Sequence, residues 1–209
     1  MRLHHHPFSS NARRAVMTAH HLAAHHAGAP KVELVLVDLG KGQQRSPEYL
    51  KLNPMGRVPT LEDGDFVLTE SQAIMIHLAQ STPDQTVYPS ELRARSRVNQ
   101  WLFWCAHHFA PAVAVLNWER VVKSLVGAGP EDANEIARGE RLVAENLRVL
   151  DQHLEGRAFL SGDALTLADL SVSTPLMSIG PARLPIENSK NVLRWFASIQ
   201  ELPAWKATS

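Results

Sequence analysis

The stretch Asn53–Ile74, NPMGRVPTLEDGDFVLTESQAI, decides the fold. Gly56 marks a turn before Val58-Pro59. Asp63-Gly64 then joins two short apolar runs, Pro59–Leu61 and Phe66–Leu68, which is the spacing of a tight β-hairpin. Glu70-Ser71 stand directly before the apolar-periodic run Ala73–Leu78. Ser71 is therefore placed at or near a helix start, where unspent backbone N–H groups attract an anion. On these signals the stretch is suited to hold a small, extended, anionic peptide.

Working outward to the N-terminus, Arg2–His6 is short and precedes a proline, so it reads as a strand. Ser9 and Ser10 are helix-cap residues, and the Ala-rich, periodic run Ala12–Ala24 is a helix. Gly28–Pro30 breaks it. Val32–Asp38, VELVLVD, is a β-branched strand with apolar character on both faces, which predicts a place in the interior of the sheet. A polar loop over Gly40–Arg45 leads to Ser46-Pro47-Glu48, which opens a short helix with proline at its first position and ends at Asn53-Pro54. The order is β-α-β-α-β-β-α, with the first two strands parallel through a right-handed crossover.

Towards the C-terminus, Ser81–Ser90, STPDQTVYPS, is a polar, proline-containing linker, and beyond it the periodicity turns helical. Val98, Leu102, Cys105, Phe109, Val113 and Leu116 form one stripe, with Pro111 expected to kink the helix. Ile136, Val143, Leu147, Leu150 and Leu154 form a second, separated from the first by Gly127–Pro130. Thr166–Ile179 is a third helix, opened by Thr166 with Asp169 three residues on, as in a capping box. Ser189–Leu202 is a fourth, stopped before Pro203. The expected domains are 1–81 and 91–209, joined by a linker over 82–90. The fold class is a thioredoxin-like α/β domain followed by an all-α domain.

Composition narrows the function. The chain has 209 residues, enough for one large or two small domains, and Lys+Arg equals Asp+Glu at 21 each. A balanced charge offers no basic surplus for nucleic acid. No apolar run approaches a membrane span, and MRLHHHPFSSNARR has no signal core, so a cytoplasmic location is expected. A single cysteine, Cys105, rules out a disulfide within the chain and CxxC chemistry. It falls on the helical stripe and reads as a buried apolar residue. His4-His5-His6, His20-His21, His25-His26 and His107-His108 lack Cys or carboxylate at ligand spacing, so no metal site is expected.

NPxGxVPxL and the later ESxAI, on an α/β unit followed by helices, resemble the glutathione transferase family. Phe159–Asp163 with Thr166–Asp169 resembles that family's helix-capping segment, and Asn191–Trp205, NVLRWFASIQELPAW, its final helix. The resemblance covers nearly the whole chain. It implies a cis Val58-Pro59 bond and a Val58 backbone that pairs with the cysteinyl part of glutathione. It implies that Ser71 and the helix behind it hold the γ-glutamyl carboxylate, with the ammonium near Glu70. Gln44 and Arg45 stand where phi-like members carry an HK pair for the glycyl carboxylate, and Arg57 replaces the usual Gln before Val-Pro.

The resemblance also places the reactive group after the first strand. Aligned on the paired arginines of phi-like members, the family serine falls on Ser9; aligned on Arg14-Ala15-Val16, as in theta-like members, it falls on Ser10. Its task is to donate a hydrogen bond to the glutathione sulfur beside a helix N-terminus, favouring thiolate. Tyr and Cys are absent from Leu3–Ala15, which argues against the Tyr- and Cys-dependent classes. The electrophile pocket is expected between the domains, with Phe8, Trp104, His107, His108, Pro111 and Trp118 as candidate lining. Glutathione as co-substrate, a small hydrophobic electrophile and a homodimer complete what the resemblance implies. A glutathione-dependent isomerase or disulfide reductase, and a non-catalytic binding protein, are the alternatives on the same fold.

Overall fold

The computed structural model describes residues 1–208, which fall into two compact units. In the first, β1 (Arg2–His5) is followed by α1 (Ser10–His25), β2 (Glu33–Leu36), a 3-10 turn (Gln43–Arg45) and α2 (Pro47–Leu52). β3 (Thr60–Asp63), β4 (Phe66–Leu68) and α3 (Ser71–Gln80) complete the expected order. The sheet runs β2-β1-β3-β4, with β1 parallel to β2 and antiparallel to β3, and β3–β4 a hairpin turning at Gly64. Leu3 pairs with Leu34 on one side and Leu61 on the other, and Leu3 and Leu61 are fully buried. α1 and α3 pack on each other, and both carry fully or almost fully buried residues, among them Met17 and Leu22 on α1 and Ile74, Met75 and Leu78 on α3.

One expectation for the sheet is corrected. β2 is an edge strand, not an interior one, and Leu34 and Leu36 are 38% and 60% exposed. Its apolar composition suited either place. The place was decided by the hairpin, which took the other side of β1, leaving β2 a neighbour on one side only.

α1 buries a histidine that carries a pH dependence. His21 is shielded from water and stacks on His25 at 4.3 Å between ring centroids. Burial first, then repulsion from His25 and His26, pulls its pKa down to about 4. The folded state therefore favours neutral imidazole. The stabilisation is fully present above the ordinary value of 6.5 and is lost as pH falls towards 4. Acid unfolding should show wild type losing roughly 2–3 kcal/mol more than His21→Gln across that window. Parallel stability–pH curves for the two proteins would rule this out.

The second unit begins with a nearly continuous helical run. It comprises α4 (Leu92–Trp104), a π turn (Cys105–Phe109), α5 (Ala110–Asn117), a second π turn (Trp118–Val122) and α6 (Lys123–Val126). The whole first stripe, Val98 to Leu116, is buried. Near Pro111, where the sequence predicts a kink, the helix widens into the first π turn, in which the Ala110 N–H reaches back to the Cys105 carbonyl. Pro111 can donate no bond of its own, and the wide turn lies directly before it. Cys105 is fully buried, its thiol directed at the Ser171 carbonyl at 3.6 Å. α7 (Ala133–His153) carries the second stripe and approaches α5 closely at Gly139, where a Cβ would lie 2.7 Å from the Leu116 side chain.

α8 (Leu167–Ser173) opens on the expected capping box and passes into a 3-10 segment (Thr174–Ser178) containing Pro175, so the third helix is shorter as an α-helix than its periodicity suggested. Asp169 is fully buried and accepts four hydrogen bonds. Oδ2 takes the Thr166 N–H (2.9 Å) and hydroxyl (3.0 Å), and Oδ1 takes the Leu160 N–H (2.9 Å) and Trp195 Nε1–H (3.1 Å). Trp195 lies on α9 (Lys190–Gln200), whose first turn is capped from α7 by Asp151, which accepts the N–H groups of Asn191 and Val192.

The chain from Glu201 on belongs with the first unit, although the sequence placed it at the end of the second domain. α10 (Pro203–Lys206) packs on α1, and the Arg13 guanidinium lies 3.8 Å over the Trp205 ring and donates to the Trp205 carbonyl (3.2 Å). This cation–π contact lies more than a hundred residues away in sequence from its partner, so no local pattern announces it. Among the described residues no helix is long and apolar enough to cross a membrane, and no group of three or more His, Cys, Asp or Glu could hold a metal ion.

Candidate functional site

The site is built around Val58. The Val58-Pro59 bond is cis, and Val58 stands just outside the ladder that starts at Thr60. Its side chain is buried in a cluster with Ala12, Val37 and Tyr49, against which Leu39 packs. The backbone before it is held from below: the Tyr49 hydroxyl lies 2.7 Å and Asn53 Nδ2 2.8 Å from the Arg57 carbonyl. Both also reach Thr60 Oγ1, at 2.9 and 3.2 Å.

Gln44 and Arg45 are brought to the same place. Gly56 has φ +59, and a Cβ there would lie 2.9 Å from the Gln44 carbonyl and 3.1 Å from Arg45 Nη1. Only glycine combines that backbone conformation with so close an approach. Gln44, Arg45, Arg57, Val58 and Pro59 thus surround one turn. Arg45 and Arg57 are exposed, and Gln44 Oε1 is buried with no partner among the described residues.

Glu70 and Ser71 form the second part. Glu70 has φ +65, a conformation that costs a non-glycine residue about 1–3 kcal/mol and collects at binding sites. It precedes α3 without capping it. The first rung of the helix is the Ile74 N–H to the Glu70 carbonyl (3.0 Å), so the amides of Ser71, Gln72 and Ala73 are left over at the helix start. Ser71 is 5% exposed, and its hydroxyl donates to Gln72 Oε1 at 3.0 Å. Open amides, a helix dipole and a projecting carboxylate suit a group bearing both a carboxylate and an ammonium.

Ser9 is the N-cap of α1, and its Oγ accepts the Ala12 N–H at 3.2 Å. An accepting hydroxyl keeps its own hydrogen, so capping leaves Ser9 able to donate outward. Ser10 is the first residue of the helix and is half-buried. Ala12 belongs to the Val58 cluster, which ties the start of α1 to the turn.

The expected electrophile residues are brought together in part. Trp104, His107, His108 and Pro111 line a groove of about 520 Å³ in the helical unit, facing α7 residues that include Leu142 and Val149. Trp118 is 45% exposed and outside that lining. Phe8 is 81% exposed in the first unit, its ring edge-on to His6 at 5.4 Å between centroids. The sequence did not single out Tyr49, Asn53 or Thr60. The only signals were the aromatic after Pro47-Glu48 and the Asn of NPxGxVP, and neither says that the side chains turn under the following turn.

Family models described as the N-terminal and C-terminal domains of glutathione S-transferase match residues 2–80 and 105–203. The chain is similar to glutathione S-transferase F10 of Arabidopsis thaliana, with 34% identity over 209 residues, covering 97% of this chain and 94% of the relative. It is similar to the human glutathione S-transferase theta-2B, with 43% identity over 150 residues, 70% of this chain. The chain spans 60% of the length of that human relative. Among solved structures, glutathione transferase F7 of Populus trichocarpa superposes with a TM-score of 0.86 at 27% identity, covering 99% of this chain and 96% of that one. A delta-class glutathione transferase of Nilaparvata lugens superposes at 0.82 with 31% identity, covering 100% and 92%.

Proposed function

Because the chain belongs to the glutathione S-transferase family, we propose that it binds glutathione as co-substrate and promotes attack of the glutathione thiolate on a small hydrophobic electrophile. The observation that carries the reading is the convergence on one unit of a strand-like Val58, the open N-terminus of α3 behind Glu70-Ser71, and a serine-capped α1 tied to Val58 through Ala12. Each suits one portion of the tripeptide. The Val58 N–H and C=O pair with the cysteinyl backbone as a strand would. Ser71 and the amides behind it take the γ-glutamyl carboxylate, and Glu70 takes the ammonium. Arg45, with Gln44 and Arg57 beside it, neutralises the glycyl carboxylate.

The chemistry then asks little of the protein. A hydroxyl at Ser9, with Ser10 as the close alternative, donates to the sulfur, and the positive end of α1 adds to the same field. Both favour the thiolate, bringing a thiol pKa of about 8.5 towards neutrality. The thiolate attacks the electrophile, a carbon–sulfur bond forms, and the leaving group departs with the displaced electron pair. The groove beside Trp104, His107 and His108 is the proposed electrophile region. Cytoplasmic detoxification by a homodimer belongs to the same proposal.

The test is a glutathione titration followed by turnover with a chloroaromatic and, separately, with a glutathione mixed disulfide. Saturable binding with conjugate formation is expected. Turnover of the disulfide alone would replace the transferase by a reductase, and binding without either turnover would leave a binding protein.

A further inference from the structure

We propose that the hydroxyl of Tyr49 is a positioning group for glutathione, acting through a closed ring of hydrogen bonds that orients the Val58 backbone from beneath. The inference rests on the reading that Val58 grips the cysteinyl part of glutathione.

The hydrogen positions in the ring follow from what each group can do. The Arg57 carbonyl only accepts, so the Tyr49 hydroxyl, 2.7 Å away, donates to it. That spends the single Tyr49 hydrogen. The 2.9 Å contact between Tyr49 and Thr60 must then be a bond donated by the Thr60 hydroxyl. Thr60 Oγ1, having given its hydrogen, accepts from Asn53 Nδ2 at 3.2 Å, and the other hydrogen of that amide goes to the Arg57 carbonyl at 2.8 Å. Asn53 Oδ1 accepts the Met55 N–H at 3.1 Å. Tyr49, Asn53 and Thr60 are 6%, 3% and 0% exposed, so water cannot replace a missing member.

The ring grips the chain at residue 57 and at residue 60, on either side of Val58-Pro59. A peptide plane held on both sides cannot swing. The direction of the Val58 N–H and C=O is thereby set before any ligand arrives, and the ordering cost of binding is reduced. The ring of Tyr49 does a separate job, packing in the cluster with Ala12, Val37 and Val58. Tyr49→Phe keeps that packing and deletes only the hydroxyl, leaving the Thr60 hydroxyl without its acceptor and the Arg57 carbonyl with one donor instead of two.

The experiment compares wild type, Tyr49→Phe, Thr60→Val and the double variant by calorimetric titration with glutathione and with S-methylglutathione, alongside steady-state kinetics. Tyr49→Phe is expected to raise Kd for both ligands about tenfold, the worth of one buried hydrogen bond. KM for glutathione should rise in step while kcat at saturation stays within about twofold, since the sulfur is not touched. The double variant should be little worse than either single one, because the ring acts as a unit. A lower melting temperature with unchanged Kd would reduce Tyr49 to a structural residue and overturn the proposal. So would a fall in kcat at unchanged KM. Failure of wild type itself to bind either ligand would instead sink the glutathione reading on which the proposal stands.

Discussion

Asp169→Ala is expected to cost the helical unit about 3–5 kcal/mol, enough to unfold many domains outright. The carboxylate is fully buried and gathers donors from three separate places: the Leu160 amide in the loop after α7, Thr166 at the start of α8, and the Trp195 indole on α9. The Thr166 hydroxyl can rotate to seek another acceptor, but the backbone N–H groups of Leu160 and Thr166 and the Trp195 indole N–H cannot. Alanine leaves all three buried and unpaired, at about 1–3 kcal/mol each, beside the small void of the lost carboxyl. Burial raises the Asp169 pKa, and the four donors partly offset it. Asp169→Asn retains the volume and one good acceptor, so it should lose less than alanine. Urea unfolding followed by circular dichroism measures both, and a loss below about 1 kcal/mol for alanine would show that the loop and helices hold together without the carboxylate.

Ser9→Ala is expected to lower turnover by one to two orders of magnitude if Ser9 holds the glutathione thiolate. It also removes the N-cap of α1, worth about 0.5–2 kcal/mol, and this second effect must be separated from the first. Ser9→Asp does so. A carboxylate caps α1 as well as a hydroxyl does, but it offers no hydrogen to sulfur and places a negative charge near a thiolate. Activity should therefore fall in Ser9→Asp while stability is kept. The thiolate absorbance of bound glutathione, followed against pH, should show the thiol pKa moving back towards about 8.5 in both variants. If these values stay put in Ser9→Ala but move in Ser10→Ala, the role passes to Ser10. If they move in neither, the serine mechanism is wrong.

Much of the site was legible because its parts are contiguous. Gly56, Val58-Pro59, Asp63-Gly64 and Glu70-Ser71 announce a turn, a hairpin and a helix start through local backbone rules that need no distant partner. The same holds for Thr166 and Asp169, three residues apart in one capping box. What local pattern could not supply was the second use of these residues. Asp169 also receives Trp195 from α9, and Tyr49 and Asn53 reach under the turn that follows them.

By itself, then, the sequence determined the order of the elements, the turn around Val58 and the serine at the head of α1. Each depends on short-range sterics and hydrogen bonding within a few residues. Only the tertiary structure decided the rest. β2 lies at the edge of the sheet because the hairpin claimed the other side of β1. The last turn, α10, joins the first unit because Arg13 stacks on Trp205. Val58 is oriented from beneath because Tyr49, Asn53 and Thr60 fold into one buried ring. Placement of that kind turns on which surfaces meet once the chain has closed on itself, and periodicity along the chain carries no record of it.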